Sequence, residues 1–149
     1  MPIFTLKKLM LMSRGRNYMN TPADIRTRIR YIEEVGTLLD QMVYEEIVSL
    51  KDIENEFPIT YDTIRKLRKI DHTTSFETIR KTGYIIGHYL HVKHVEFNNC
   101  KGKLRISEDK LILLNRLQNK FEEIYGLQAI IVKEMIDKKD DIRKFLNEK

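Results

Sequence analysis

Apolar side chains recur at intervals of three and four residues over most of this chain, and that spacing constrains its fold more than any other feature. A helical period of 3.6 residues places such side chains on one face, which is then buried against other helices. The same spacing returns in residues 111–124 and 127–145. We therefore expect a mainly helical protein. The first stripe consists of Ile25, Ile29, Ile32, Leu39, Val43 and Ile47.

Capping residues divide these stripes into separate helices. A Ser or Thr side chain at a helix start accepts a hydrogen bond from a free backbone amide, and proline suits the first helical position, here Pro22. Pro58 predicts a helix end at Phe57, because the residue before proline is pushed out of the α region. Gly36 predicts a kink or a break in the first stripe. The predicted N-caps are Thr21, Ser49, Thr60, Ser75 and Ser107.

The hydrophobic period changes to two after Tyr89. Apolar and polar residues alternate over 90–97, residues 98–102 have a turn-like composition, and residues 103–106 alternate again. Alternation of this kind is typical of a half-buried strand. The sequence therefore predicts a β-hairpin over residues 90–106, with a loop of four to five residues.

Charge is unevenly distributed along the chain. Lys and Arg number 27 against 22 Asp and Glu, which gives a net charge of +5. Residues 1–20 carry +4, residues 21–60 carry −5, residues 61–106 carry +6, and residues 107–149 are neutral. A basic middle segment of this kind is the pattern expected of a nucleic-acid-binding face. A solvated surface would give similar counts.

Residues 50–69 resemble the helix-turn-helix superfamily. That motif packs two short helices through apolar residues at positions 4, 8, 10, 15 and 18 of twenty, and all five positions match here. The chain differs at Glu54, where the family prefers a small residue, and at Pro58, where it prefers glycine. The resemblance implies DNA binding, with the second helix as the recognition helix. The matching residues are Ile53, Phe57, Ile59, Ile64 and Leu67.

A second register of the motif is open. Residues 75–81 repeat the pattern of residues 60–66, and the helix that they start leads directly into the predicted hairpin, as a recognition helix precedes the wing of a winged-helix domain. In this register, however, polar residues such as Arg68 and His72 would have to fill core positions. The core pattern favours a recognition helix at 60–69 and the chain order favours one at 75–88. We prefer the first.

The resemblance and the hairpin together predict a mainly α fold with one β-hairpin, a winged helix-turn-helix-like domain extended by N- and C-terminal helices. Phosphates would be bound from the recognition helix and the hairpin tip, and base edges would be read chiefly by Arg65. An ordinary solvated hairpin with lysines at its edge is the alternative interpretation of the tip. The candidate DNA-binding residues are Thr60, Tyr61, Arg65, Lys66, Lys69, Arg80, Lys81, Lys101, Lys103 and Arg105.

Metal binding and catalysis are not expected. On a strand, His91 and His94 would point to opposite faces, and no acidic general base lies close in sequence, as a hydrolytic zinc helix requires. Cys100, the one cysteine, excludes an intramolecular disulfide and lacks a recognisable catalytic partner. The chain has no glycine-rich phosphate loop. We therefore expect neither an enzyme nor a metal or cofactor.

Three segments are predicted along the chain. Residues 1–20 are interpreted as a flexible basic arm, with a secretory or organellar targeting segment, or a start at Met12 or Met19, as alternatives. Residues 21–106 form the winged helix-turn-helix-like domain. Residues 107–149 carry a stripe long enough to join a homodimer, although it would also suit the protein's own core. No apolar run approaches the roughly 18 residues that a membrane span requires.

The sequence thus predicts a cytoplasmic, sequence-specific double-stranded DNA-binding protein that regulates transcription as a homodimer. A protein-interaction or assembly adaptor without catalytic activity is the main alternative, since the same folds serve there without DNA. A replication or partition protein of a plasmid or virus is a further alternative.

Overall fold

Helices form all the secondary structure in the computed structural model, which describes residues 22–57, 59–100 and 108–137. No strand occurs within those ranges, so the predicted winged helix with a β-hairpin is wrong, while the mainly helical prediction is confirmed. None of these helices combines the length and apolar character needed to cross a membrane. The helices are α1 (Pro22–Tyr44), α2 (Leu50–Glu56), α3 (Tyr61–Arg68), α4 (Phe76–Cys100), α5 (Glu108–Tyr125) and α6 (Ala129–Asp137).

The predicted first strand is the second half of α4. This helix continues through residues 90–100, so the alternation beginning at Leu90 lies on a helix. Leu90 and Phe97, seven residues apart, are both buried, and Val95 is exposed. Two helical turns separate the buried pair, so burial follows the helical period here. The predicted return strand, residues 103–106, lies outside the described residues.

Helix α4 is the centre of the fold, with α1, α5 and α6 packed around it. Two glycines permit the closest contacts. A Cβ at Gly83 would lie 2.4 Å from the ring of Tyr125, and one at Gly87 would lie 2.8 Å from Val132. The Tyr125 hydroxyl is buried and donates a hydrogen bond of 2.9 Å to the carbonyl of Ile79.

The stripe predicted for dimerisation in α5 is used largely within the chain. Leu114, Leu117, Phe121 and Ile124 are all buried, and they belong to the same core as the buried residues of α1 and α4. The apolar stripe of α5 therefore packs in the protein's own core, which is the alternative interpretation given above. The exposed side of α5 is a separate surface.

Helices α2 and α3 form the predicted short pair. Ser49 accepts a hydrogen bond from the amide of Asp52, and Thr60 accepts one from the amide of Thr63, so both of these predicted N-caps are confirmed. Phe57 lies immediately after the last residue of α2 and is buried. Of the five apolar motif positions, Ile53, Phe57, Ile64 and Leu67 are buried and Ile59 is partly buried.

Helix α3 ends directly against α1. The amide of Asp71 donates to the carbonyl of Lys66, and the amide of Ile70 donates to the carbonyl of Leu67. At this helix end, Ile70 takes the left-handed backbone conformation that glycine usually adopts (φ 58°). This end leans on Gly36, where an added Cβ would lie 2.4 Å from the carbonyl oxygen of Leu67. Gly36 therefore does not break α1, which is continuous from Pro22 to Tyr44; it allows the close approach of α3.

Candidate nucleic-acid interface

The exposed face of α3 brings together three of the predicted DNA-binding residues. Ile64 and Leu67 are buried against α1 and α2, whereas Arg65, Lys66 and Lys69 are exposed. On a short helix this division leaves one cationic face opposite one apolar face. We call Arg65, Lys66 and Lys69 the α3 cationic face.

An acidic residue lies within this face. Asp62 accepts a hydrogen bond of 2.9 Å from Arg65 and lies 3.6 Å from the Lys66 ammonium. Its hydrogen bond with Arg65, aided by the charge of Lys66, holds the pKa of the Asp62 carboxyl below its usual value. Asp62 is not among the candidate residues predicted from the sequence, although its spacing of three and four residues from the two cations is the helical ion-pair spacing.

The N-terminus of α3 uses Thr60 for capping. Its hydroxyl accepts from the Thr63 amide at 3.2 Å and is hydrogen-bonded to the Thr63 hydroxyl at 2.9 Å. Thr60 is exposed, so it stays accessible at the tip of the helix. Tyr61 is the first residue of α3, and its side chain lies outside the described part of the structure.

An ion pair fixes the orientation of α3 on α1. Arg68 donates hydrogen bonds of 2.9 Å from Nε and from a terminal nitrogen to the Asp40 carboxylate. Because Arg68 follows the buried Leu67, the pair lies at the edge of the α1–α3 contact. Arg65, Lys66 and Lys69 stay exposed beside it.

The second register places its cations differently. Arg80 is only 4% exposed, donates to the Glu77 carboxylate, and lies over the ring of Tyr84 at 5.6 Å. A buried, paired guanidinium cannot reach a phosphate without unfolding this turn, so the structure disfavours Arg80 as a DNA contact. Lys81 is half-buried. This part of α4 packs in the core, which leaves α3 as the better candidate.

The remaining predicted contacts lie outside the described residues: Lys101, Lys103 and Arg105. The helix before α3 is acidic, with Asp52, Glu54 and Glu56 all exposed on α2. Across residues 22–57, 59–100 and 108–137 there are 15 basic and 19 acidic residues. The positive charge of α3 is therefore local, set on a body that is otherwise negative.

The histidines of α4 also differ from expectation. Since residues 90–100 are helical, His91 and His94 lie on one side of α4, with parallel rings whose centroids are 6.4 Å apart. Within the described ranges, no group of three His, Cys, Asp or Glu side chains could hold a metal ion. His88 packs edge-on against Phe57, and its Nδ1 has no hydrogen-bond partner among the described residues. Burial lowers the pKa of His88, with Lys133 contributing.

Comparison with known proteins gives no family for this arrangement. No protein-family model matches the chain, and no curated protein or solved structure is significantly similar to it.

Proposed function

We propose that this protein is a cytoplasmic, non-catalytic regulator of transcription that binds specific double-stranded DNA as a homodimer, with α3 as the recognition helix. The observation that carries the proposal is the α3 cationic face, three exposed cations opposite a buried apolar face. The capped pair α2–α3, with its apolar contacts buried, is the support that a recognition helix requires.

Each cation has a distinct role in this proposal. Arg65 reads a guanine, because a guanidinium fork matches the O6 and N7 acceptors of that base in the major groove. Lys66 and Lys69 bind flanking phosphates and set the register of the helix on the duplex. Binding requires Arg65 and Lys66 to leave Asp62, whose carboxylate also repels phosphates. Asp62 therefore limits affinity.

The first experiment measures fluorescence anisotropy on a duplex selected from a random library. Each phosphate neutralised contributes about −0.9 to the slope of log binding constant against log salt. The variant Lys66→Ala/Lys69→Ala removes two contacts per subunit and should flatten the slope by about 1.8 per subunit. Lys93→Ala/Lys110→Ala removes the same charge from α4 and α5 and should leave the slope unchanged.

Arg65→Ala tests base reading. Loss of a bidentate guanine contact should cost about 1–3 kcal/mol on the selected duplex and relax the preference at one base position. Uniform weakening on all sequences would instead make Arg65 a phosphate contact. Unchanged binding would remove α3 from the interface.

A gain-of-function variant gives the sharpest test of the α3 face. Asp62→Asn removes the negative charge beside Arg65 and Lys66 while retaining the shape of the side chain, so DNA affinity should rise several-fold. Glu54→Gln removes one charge from the neighbouring α2 without touching those cations, and its gain should be smaller. Equal gains would show that only net charge matters.

If no duplex binds with a dissociation constant below about 10⁻⁴ M at physiological salt, only non-specific attraction remains. The adaptor function would then be the better proposal, with the net-negative part of the chain that the structure describes as its surface.

A further inference from the structure

A groove of about 420 Å³ runs along the outside of the fold between α1 and α5. Leu38 and Leu117 form its floor. Its two walls carry opposite charge, acidic on α1 and basic on α5. The wall residues are Glu33, Glu34, Thr37 and Gln41 on α1, and Arg116 and Lys120 on α5.

The two walls run in opposite directions. Helix α1 is parallel to α4, as two contacts show. Near the start of α1, Arg28 donates to the carbonyl of Thr74, just before α4 begins. Near the end of α1, Val43 lines a groove together with Val92 in the second half of α4. Helix α5 is antiparallel to α4, because Tyr125 at its end contacts Gly83 in the first half of α4. Helices α1 and α5 are therefore antiparallel.

This direction places two exposed apolar side chains at the same end of the groove. Tyr44 follows Gln41 by one turn and is 81% exposed, and Ile112 precedes Arg116 by one turn and is 51% exposed. The other end is charged, with Glu33 and Glu34 on α1 and Lys120 on α5. The surface thus has an acidic wall, a basic wall, an apolar floor and an apolar end.

We infer that a second copy of this chain covers this surface, with the two-fold axis parallel to α1 and α5. Rotation about that axis sets α1 of one copy over α5 of the other at the same height. The acidic wall then faces the partner's basic wall, Tyr44 faces the partner's Ile112, and the two grooves face each other, with Leu38 and Leu117 buried at the bottom of each. A two-fold interface requires one patch that is complementary to itself, and the surface between α1 and α5 meets that requirement.

The charge pattern selects this axis over the other one in the interface plane. An axis perpendicular to the helices would place α1 on the partner's α1, with Glu33 and Glu34 against Tyr44 and no basic wall in reach. Beyond Arg30, which lies 3.9 Å from Glu34 on the same helix, the carboxylates would gain no cationic partner at the interface, which is unfavourable. Only the parallel axis pairs acid with base and apolar with apolar.

This inference concerns the assembly part of the proposed function and is independent of DNA binding. It retains α5 from the predicted dimerisation segment and adds α1. Helix α3 contacts α1 at Gly36 and Asp40, neither of which lines the groove, so the inferred interface does not use the α3 cationic face.

The experiment is a charge swap read by sedimentation velocity on the full chain. Wild-type protein should be dimeric at tens of micromolar. The variants Glu33→Lys/Glu34→Lys and Arg116→Glu/Lys120→Glu should each be monomeric, with the dimer dissociation constant raised at least about a hundredfold, because each sets like charges against each other. Mixed in equal amounts, the two variants should form a heterodimer, since every wall again meets its opposite.

The heterodimer separates an interface from a folding defect, because misfolded chains would not restore each other. The control variant Glu122→Lys/Glu134→Lys changes the same charge away from the groove and should remain dimeric. A monomeric wild type, a charge-swapped variant that stays dimeric, or a mixture that stays monomeric would each overturn the inference. A wild-type dimer that responds to the charge swaps as expected but binds no DNA would uphold this inference while refuting the DNA-binding proposal.

Discussion

Replacing Gly36 by alanine tests how α3 is held, because two physical effects predict opposite signs. Inside an exposed helix, glycine to alanine stabilises by about 1 kcal/mol. Here, however, the new Cβ would lie 2.4 Å from the carbonyl oxygen of Leu67, whereas ordinary contact begins at 3.4 Å, so α3 must move by about 1 Å. The obstacle is backbone and cannot rotate away.

The expected result of Gly36→Ala is net destabilisation. Overpacking costs about 1–3 kcal/mol, and an obstacle of backbone places this case in the upper half of that range. After the propensity gain, we expect a loss of about 1–2 kcal/mol and a Tm lower by about 2–8 °C. The strained turn at Ile70 leans on the same site, so the amides of Leu67 and Asp71 should exchange faster with solvent.

Thermal and urea unfolding monitored by circular dichroism measure this loss. Asn115→Ala, at an exposed position inside α5, serves as the control and should be neutral or slightly stabilising, because only helix propensity changes there. A Gly36→Ala protein as stable as wild type, or more stable, would refute the packing argument for α3.

Two further substitutions test the interior. Tyr125→Phe removes the hydrogen bond to the carbonyl of Ile79 and should cost about 0.5–1.5 kcal/mol in urea unfolding; an unchanged midpoint would contradict that hydrogen bond. His88→Phe should make the free energy of unfolding less sensitive to acid. Burial lowers the pKa of His88 in the folded protein below its ordinary value of 6.5, so the unfolded chain binds the proton more readily. The stability present above about pH 6.5 is therefore lost as the pH falls. Unfolding midpoints from pH 7.5 to 5 should fall less in the variant, with His91 retaining part of the slope because its pKa is also lowered by burial; parallel curves would refute this role.

Local signals predicted the short helices well. The caps at Ser49 and Thr60 were correct because a hydroxyl accepting an amide two or three residues later is a contact within one turn, encoded by neighbouring residues. The same holds for the apolar pair Ile64 and Leu67, whose spacing is enough to define the buried face of α3.

The hairpin was predicted incorrectly because its evidence was too short to define a period. Over a few residues, positions such as Leu90 and Val92 fit alternation, whereas the helical pair Leu90 and Phe97 spans seven. Burial of Phe97 depends on elements distant in sequence, and so does the helical state of this segment. A local pattern cannot express that dependence.

Local patterns of residues were enough to predict that helices dominate, where α2 and α3 begin, and that the cations of α3 lie opposite Ile64 and Leu67. Which basic side chains of the chain face solvent depended on how the helices pack. Arg65 and Arg80 occupy equivalent positions in two similar segments, yet Arg65 is exposed and Arg80 is buried. The difference arises because α4 is the central helix, packed by α1, α5 and α6, whereas α3 packs chiefly on α1 and α2 among the described elements. Exposure depends on how many faces of a helix are covered, and that is a property of the assembled fold.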